Sequence, residues 1–247
     1  LLLGFMIPTA QLLYWAIFEA QPLGWDFVEL AWNSFSLAFM AAIIAVILAI
    51  ILSYAKRNKP IKPIGSVIAI SGFGYALPGT IIAIGVLIPL AWMDHSIITM
   101  FEGFGWDNPG LLLSGSLVAL LFAYTVRFLA VALGSVQAGL EQIKPSLDHA
   151  GRSLGHSPWA ILRQIHVPLM RSSILTAVLI VFVDVLKELP ATLILRPFNF
   201  NTMAVRAYEL ASDERLVDAA PASIMIVLVG LIPVLLIHAS ISRRRPQ

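Results

Sequence analysis

Leu-Ala-Phe-Met-Ala-Ala-Ile-Ile-Ala-Val-Ile-Leu-Ala-Ile-Ile-Leu-Ser, residues 37–53, contains no charge, no proline and no glycine. With its flanks it extends over Asn33–Ala55, the ~20 apolar residues that a helix needs to cross the hydrocarbon core of a bilayer. Five further stretches read the same way. They are Leu1–Phe18, Ile64–Trp92, Leu111–Val136 with the single charge Arg127, Ser172–Leu195 and Ala222–Ser240. The third is long and interrupted by Gly72, Gly74, Pro78, Gly79 and Pro89. Within lipid each span must satisfy its own backbone polar groups, which helices do. The expected fold is therefore all-α: one polytopic membrane bundle of about six transmembrane helices, a single transmembrane domain over residues 1–247.

Composition points the same way. Hydrophobic residues make up 59% of the chain and charged residues 12%, about half the charged share of a soluble domain. Such a chain cannot cover a globule of its own with polar surface. The formal charge of +2 is scattered between apolar runs, so nucleic acid is not an expected partner and membrane lipid is. There is no Cys, which excludes disulfides and thiolate chemistry. The chain enters an apolar run at Leu1 without a basic leader, and a longer gene product is expected to precede it.

The charges alternate between connections. Lys56, Arg57, Lys59 and Lys62 follow the second span, Lys144, Arg152, Arg163 and Arg171 follow the fourth, and Arg243, Arg244 and Arg245 follow the sixth. The other connections hold only Arg206 and Arg215, against Glu19, Asp26, Glu29, Asp94, Glu102, Asp107, Glu209, Asp213, Glu214 and Asp218. Basic residues stay on the cytoplasmic side during insertion, so both the start and the C-terminus are expected inside. Trp25, Trp32, Trp92 and Trp106 fit interfacial anchoring. The patch Asp213, Glu214 and Asp218 reads either as a docking face for an external partner or as ordinary solvated surface.

The connection over Gln137–Arg171 is longer than a turn requires, and it is patterned. Pro145 suits a first helical turn. Leu147, Ala150, Gly151 and Leu154 fall at i, i+3, i+4 and i+7, one apolar stripe on a short helix. Gly155 suits its end, and Ser157-Pro158 reads as an N-cap with proline at the first position. A second short helix over Pro158–Ile165 follows, before Pro168. Periodicity alone leaves two readings open, a docking surface or an amphipathic helix lying on lipid.

The stretch His149-Ala150-Gly151-Arg152-Ser153-Leu154-Gly155, nine residues, then Ile165-His166-Val167-Pro168 resembles the EAA motif of ABC importer permeases: Glu-Ala-Ala, three residues, Gly, nine residues, Ile-x-Leu-Pro. His149 stands where Glu is usual, Gly151 where Ala is, Val167 where Leu is, and Asp148 supplies an acid one residue early. The resemblance implies a cytoplasmic coupling helix that docks an ATP-binding subunit, with Asp148, His149, Ala150, Gly151, Arg152, Gly155, Ile165 and Pro168 as the docking loop. The chain has no Gly-x-x-x-x-Gly-Lys-[Ser/Thr] phosphate loop, so ATP and Mg are expected on that partner subunit and no cofactor in this chain.

A second tract, Phe182–Pro197, together with Leu77-Pro78-Gly79-Thr80, resembles the ferric-iron permease family, whose members often carry two homologous six-span halves. The resemblance covers essentially the whole chain and is to the C-terminal half. It implies a multi-pass inner-membrane permease, not itself an enzyme, whose partners are a periplasmic solute-binding protein, an ATP-binding subunit and a second permease half. Thiamine, sulfate and polyamine permeases are close relatives. A secondary transporter or channel is a rival reading that leaves the patterned loop unexplained. An intramembrane enzyme is another, but no His-Glu-x-x-His motif is present. No Gly-x-Ser-x-Gly nucleophile elbow is expected either, since the literal match at Gly151–Gly155 lies in the helical loop pattern and not between a strand and a helix.

Physical chemistry singles out the same tract. Asp184, Lys187 and Glu188 lie inside the fifth span, where each charge costs roughly 2.5–3.5 kcal/mol at mid-bilayer. Asp184 and Lys187 are spaced i, i+3 and form the natural pair. Pro190 is expected to break the helix one turn later. Broken helices bearing ionisable groups mark gates and pathways in transporters; a neutralising pair that fixes packing is the plainer alternative. Arg127 is either a further partner for Asp184 or Glu188 or a snorkelling residue. Pro78 and Gly79 should kink the third span, and Gly72, Gly74, Gly79 and Gly85 permit close helix contact. The five His residues share no ligand spacing and read as ordinary polar residues.

Overall fold

The computed structural model describes residues 2–22, 24–58 and 61–242. Lys59, Arg243, Arg244, Arg245 and the side chain of His238 lie outside the described parts. Among the described residues every regular element is a helix. We number them α1 (Leu2–Glu19), α2 (Trp25–Asn58), α3 (Lys62–Ala76), α4 (Gly79–Gly103), α5 (Leu117–Glu141), α6 (Pro145–Ser153), α7 (Pro158–Leu169), α8 (Arg171–Leu186), α9 (Pro190–Leu195), α10 (Met203–Ser212) and α11 (Leu216–Ser242). Of these, α1, α2, α4 and α5 are each long and apolar enough to cross a membrane alone.

The core is a three-helix packing of α2, α5 and α8. Its seam on α2 is built from alanines: Ala38, Ala41, Ala42, Ala45 and Ala49 are fully buried. Their i, i+3, i+4, i+7, i+11 spacing puts a strip of small side chains on one face, so the neighbouring backbones approach closely. Ala119, Ala123 and Ala132 of α5 and Ala177 and Val181 of α8 face the same seam. Gly139 of α5 belongs to it too, since a Cβ there would run into Ser173 at the start of α8. The opposite side of α2 leaves Phe39, Ile44, Ile47, Leu48 and Ile51 exposed, as a lipid-facing surface requires.

Two of the expected spans are not single rods. The third divides at Leu77-Pro78, where both residues are extended, into α3 and α4. Proline has no N–H to give and disfavours helix in the residue before it, so the break falls at Pro78. At Pro89, by contrast, α4 runs straight on. The fifth span ends as α8 at Leu186 and resumes as α9 at Pro190. Pro190 therefore opens the second helix, the position proline favours, instead of breaking the first one turn downstream. Of the four glycines expected to permit close helix contact in the third span, Gly74 and Gly79 are at tight contacts, while Gly72 and Gly85 face open space.

The patterned connection is shorter than the expected 137–171, because α5 continues to Glu141. Its second helix extends past Ile165 to Leu169. A bend of 76° at Met170 then turns the chain from α7 into α8. The C-terminal ends of α2 and α5 share one end of the bundle with α6 and α7. The N-terminal ends of α2 and α5 share the other with α10, fixed there by a hydrogen bond of 2.8 Å from Met203 N to Ser34 Oγ. Lys56, Arg57, Lys144, Arg152 and Arg163 thus gather at one end, and Asp26, Glu29, Asp94 and Glu209 toward the other.

Candidate functional site: a pinned loop and two facing helix breaks

Local sequence makes α6 a helix. Pro145 opens it, and Gly155 closes it at φ +81°, where a side chain would be strained. The His156 N–H then reaches back to the Gly151 carbonyl at 3.0 Å. Only Asp148 and Gly151 of this helix are buried. Leu147, Ala150 and Leu154, three of the four residues in the expected apolar stripe, are exposed, Leu154 at 78%. The helix thus turns an acid and a glycine inward, and its outer face carries Ser146, Ala150 and Ser153 flanked by His149, Leu147 and Leu154. A Cβ on Gly151 would stand 2.9 Å from Cγ1 and 3.0 Å from Cδ1 of Ile161, so glycine lets α6 rest on α7. Ile165 is half-buried against the same glycine, and Pro168 is exposed.

Asp148 is 7% exposed and fully partnered. Arg57, in the last turn of α2, donates to its Oδ2 from Nε at 2.9 Å and from Nη2 at 2.7 Å. His166, buried in α7, donates from Nε2 to Oδ1 at 2.7 Å. Arg57 also caps the end of α5, through Nη1 to the Leu140 carbonyl at 2.6 Å and Nη2 to the Ile143 carbonyl at 2.8 Å. Burial alone would raise the Asp148 carboxyl, but the hydrogen bonds from Arg57 and His166 outweigh it and hold it below the usual carboxylate range. Tyr54, one turn before Arg57, donates to the Pro158 carbonyl at 2.8 Å, and its ring lies 5.4 Å from that of His166. Arg152 reaches Asn58 at 3.0 Å. The end of α2 is the platform on which both loop helices sit.

Halfway along the bundle a second cluster forms where the two breaks meet. Arg127, near the middle of α5, donates from Nη1 to the Leu77 carbonyl at 2.9 Å. Its Nε lies 4.0 Å from Oε1 of Glu188. This places Arg127 inside the protein, not snorkelling toward an end, and selects Glu188 over Asp184 as its acid. Glu188 is 5% exposed. Its carboxylate accepts from the Ala191 and Thr192 N–H groups at 3.2 and 3.3 Å, the otherwise free donors that open α9. Thr192 donates its hydroxyl to the Glu188 carbonyl at 2.8 Å, so Tyr124 of α5 must be the donor in its own hydrogen bond with Thr192. A Cβ on Gly79 would meet Glu188 Oε1, and Arg127 Nη1 at 3.1 Å; glycine is what lets the two breaks touch. Asp184 pairs with Lys187 at 2.9 Å, with the Lys187 side chain 60% exposed. A cavity of about 170 Å³ opens here, lined by Tyr75, Arg127, Asp184, Lys187 and Glu188 among others.

The sequence alone gives no sign that Arg57, Tyr54 and His166 belong to the first cluster, and it shows Asp94 only as one of the acids in the connections. Asp94 sits in α4, fully buried. It accepts from the N–H groups of Leu112, Leu113 and Ser114 at 3.1, 2.9 and 2.7 Å and from the Ser114 hydroxyl at 2.7 Å. It ties the α4–α5 connection down instead of adding to an acidic surface.

The family model of binding-protein-dependent transport system inner membrane components matches residues 61–246, including both clusters apart from the end of α2. The Fe(3+)-transport system permease protein FbpB 2 of Haemophilus influenzae is 27% identical over 241 residues, covering 96% of this chain and 44% of that protein. The chain thus spans less than half the length of this relative. The putative 2-aminoethylphosphonate transport system permease protein PhnV of Salmonella typhimurium is 23% identical over 206 residues, 82% of this chain and 72% of its own length. A bacterial ABC transporter involved in the import of the acidic polysaccharide alginate shares the fold at a TM-score of 0.72 and 17% identity, covering 99% of this chain and 92% of that one. The MetNI methionine ABC transporter shares it at 0.59 and 17% identity, over 87% and 96%.

Proposed function

The chain belongs to the family of binding-protein-dependent transport system inner membrane components, and from that premise we propose that it is the permease half of an ABC importer that translocates ferric iron. ATP is bound and hydrolysed on a separate subunit, a periplasmic binding protein delivers the solute, and a second permease half completes the pathway. The observation that carries this reading is the outer face of α6. It is a strip of small residues flanked by exposed leucines, at the loop end of the bundle, on a helix anchored to the bundle by one buried carboxylate. A free apolar and small-residue face on an otherwise anchored helix fits a groove on a partner protein. His149 lies on that face where the motif usually has Glu, and Asp148 is turned inward, so the acid beside the motif serves the bundle, not the partner.

The facing breaks at Leu77-Pro78-Gly79 and Lys187-Glu188-Leu189 are the gate in this reading. Unwound backbone and ionisable groups near the middle of a transporter bundle are where pathways run. Arg127, Glu188, Asp184 and Lys187 form it, Pro190 caps its second helix, and Pro78 and Gly79 give its first a hinge. The relation to the Fe(3+) permease supports iron as solute. The relation to the 2-aminoethylphosphonate permease supports a second reading, the same machine with a phosphonate as cargo. Uptake by vesicles holding the full permease, its ATP-binding subunit and its binding protein separates them. Radiolabelled ferric iron should accumulate, and 2-aminoethylphosphonate should not. The reverse result would move the solute and leave the architecture in place.

A further inference from the structure

The fold offers α6 little apolar purchase on the bundle. Of its nine residues only Asp148 and Gly151 are buried, and Gly151 contacts α7, not a long helix. Two side chains join α6 to α2, the buried Asp148 through Arg57 and the exposed Arg152 through Asn58 at 3.0 Å, and only the first also reaches α5 and α7. The same guanidinium holds the Leu140 carbonyl in the last turn of α5 and the Ile143 carbonyl just beyond it, and the second oxygen of the same carboxylate holds α7 through His166. Four helices therefore meet at one carboxylate. Charge-assisted hydrogen bonds of this kind are short, directional and about twice as strong as neutral ones, so a displacement of α6 is handed to α2 and α5 through side chains as well as through the covalent turn at 142–144. His166 strengthens the case. Its Nδ1 has no partner, so the ring is held in place by Asp148 and by packing against Tyr54.

We propose that Asp148, through Arg57, is the positioning residue that transmits movement of the docked loop into α2 and α5. The proposal rests on the docking reading above and goes beyond it. Docking needs the outer face of α6, whereas transmission needs the inner one.

The test uses the full permease complexed with its ATP-binding subunit in nanodiscs. This chain has no Cys, so Tyr75→Cys, beside the gate cavity, serves as a reporter once any Cys in the rest of the permease is replaced by Ser. Its reaction rate with a maleimide is measured with and without vanadate-trapped nucleotide. With Asp148 intact, trapping should change that rate by about fivefold or more, within the usual span of coupling between sites. Asp148→Asn and Arg57→Lys should cut the change to less than about twofold, while trapped nucleotide and co-purifying ATP-binding subunit stay at parental levels. Asp148→Glu, which keeps the charge, should recover most of the response. A full response in Asp148→Asn would overturn the proposal. So would loss of the response in proportion to loss of the bound subunit, which would make the pin a matter of assembly. No response to trapping even with Asp148 intact would instead count against the gate and the ATP-driven reading themselves.

Discussion

Replacing Gly79 by alanine tests whether the two helix breaks are held by the contact described above. A Cβ at this position meets the Glu188 carboxylate, and lies 3.1 Å from Arg127 Nη1 and 3.3 Å from Ala191 N. The carboxylate is the end of a flexible side chain, so it will swing away and no backbone need move. The swing takes Oε1 off Ala191 N–H and farther from Arg127, weakening one hydrogen bond and one ion pair. Losing a hydrogen bond that involves a charged group costs about 1.5–3 kcal/mol. Alanine returns up to about 1 kcal/mol by restricting the unfolded chain, leaving a net loss of about 1–2 kcal/mol. For a chain of this length that is a drop of about 4 °C in Tm. Gly85, six residues on in the same helix, faces open space, so Gly85→Ala should gain about 0.8–1 kcal/mol in helix propensity and raise Tm slightly. Intrinsic tryptophan fluorescence on heating in detergent measures both. The two alanines should differ in sign, and Glu188→Gln should shrink the cost of Gly79→Ala, since neighbours sharing a contact are not additive. Equal effects at Gly79 and Gly85 would refute the idea that the breaks touch there.

Other expectations follow from the same geometry. Asp94→Ala strands three backbone N–H groups at the α4–α5 connection and should cost about 3–4 kcal/mol, read as a lower melting temperature and faster hydrogen exchange at Leu112–Ser114. Gly155→Ala places a Cβ on a backbone at φ +81° and should cost about 1–2 kcal/mol, with Gly155→Asn costing less. Gly151→Ala crowds Ile161 and should cost about 1 kcal/mol, which Ile161→Val relieves. Because Asp148 is held below the usual carboxylate range, its stabilisation is fully present above its ordinary value near pH ~4 and fades as pH falls through the lower folded value. The stability gap between the parent and Asp148→Asn should therefore be constant from neutral pH down to about pH 5 and close under stronger acid.

What the sequence reveals and what it hides divide along the range of the interactions. Spans such as α2 and α5 are legible because an uncharged run of bilayer length is a local signal. The break at Pro78 is equally local, and so are the α6 boundaries marked by Pro145 and Gly155. The i, i+3 pair Asp184–Lys187 needs only helical spacing to be seen. Arg57 and Asp148, by contrast, are 91 residues apart, and nothing in the neighbourhood of Arg57 separates it from the other basic residues that set topology. His166 looks ordinary until α7 brings it against Asp148. Asp94 reads as one acid among ten because the N–H groups that bury it come from a connection without periodic pattern. The stripe on α6 shows how periodicity can mislead. It marks an apolar face correctly but cannot say whether that face meets the protein's own core. Here the core takes the acid and leaves the leucines outside.

The most direct test of the central claim is ATP-driven uptake by vesicles carrying the full permease, its ATP-binding subunit and its binding protein, compared with Gly155→Arg. That substitution strains the left-handed turn closing α6 and places a bulky charge beside the outer face of that helix, far from the facing helix breaks. The account predicts uptake with ATP, none with a non-hydrolysable analogue, and loss of uptake in folded Gly155→Arg. Uptake that persists without hydrolysis, or that is unaffected by the substitution, would contradict it.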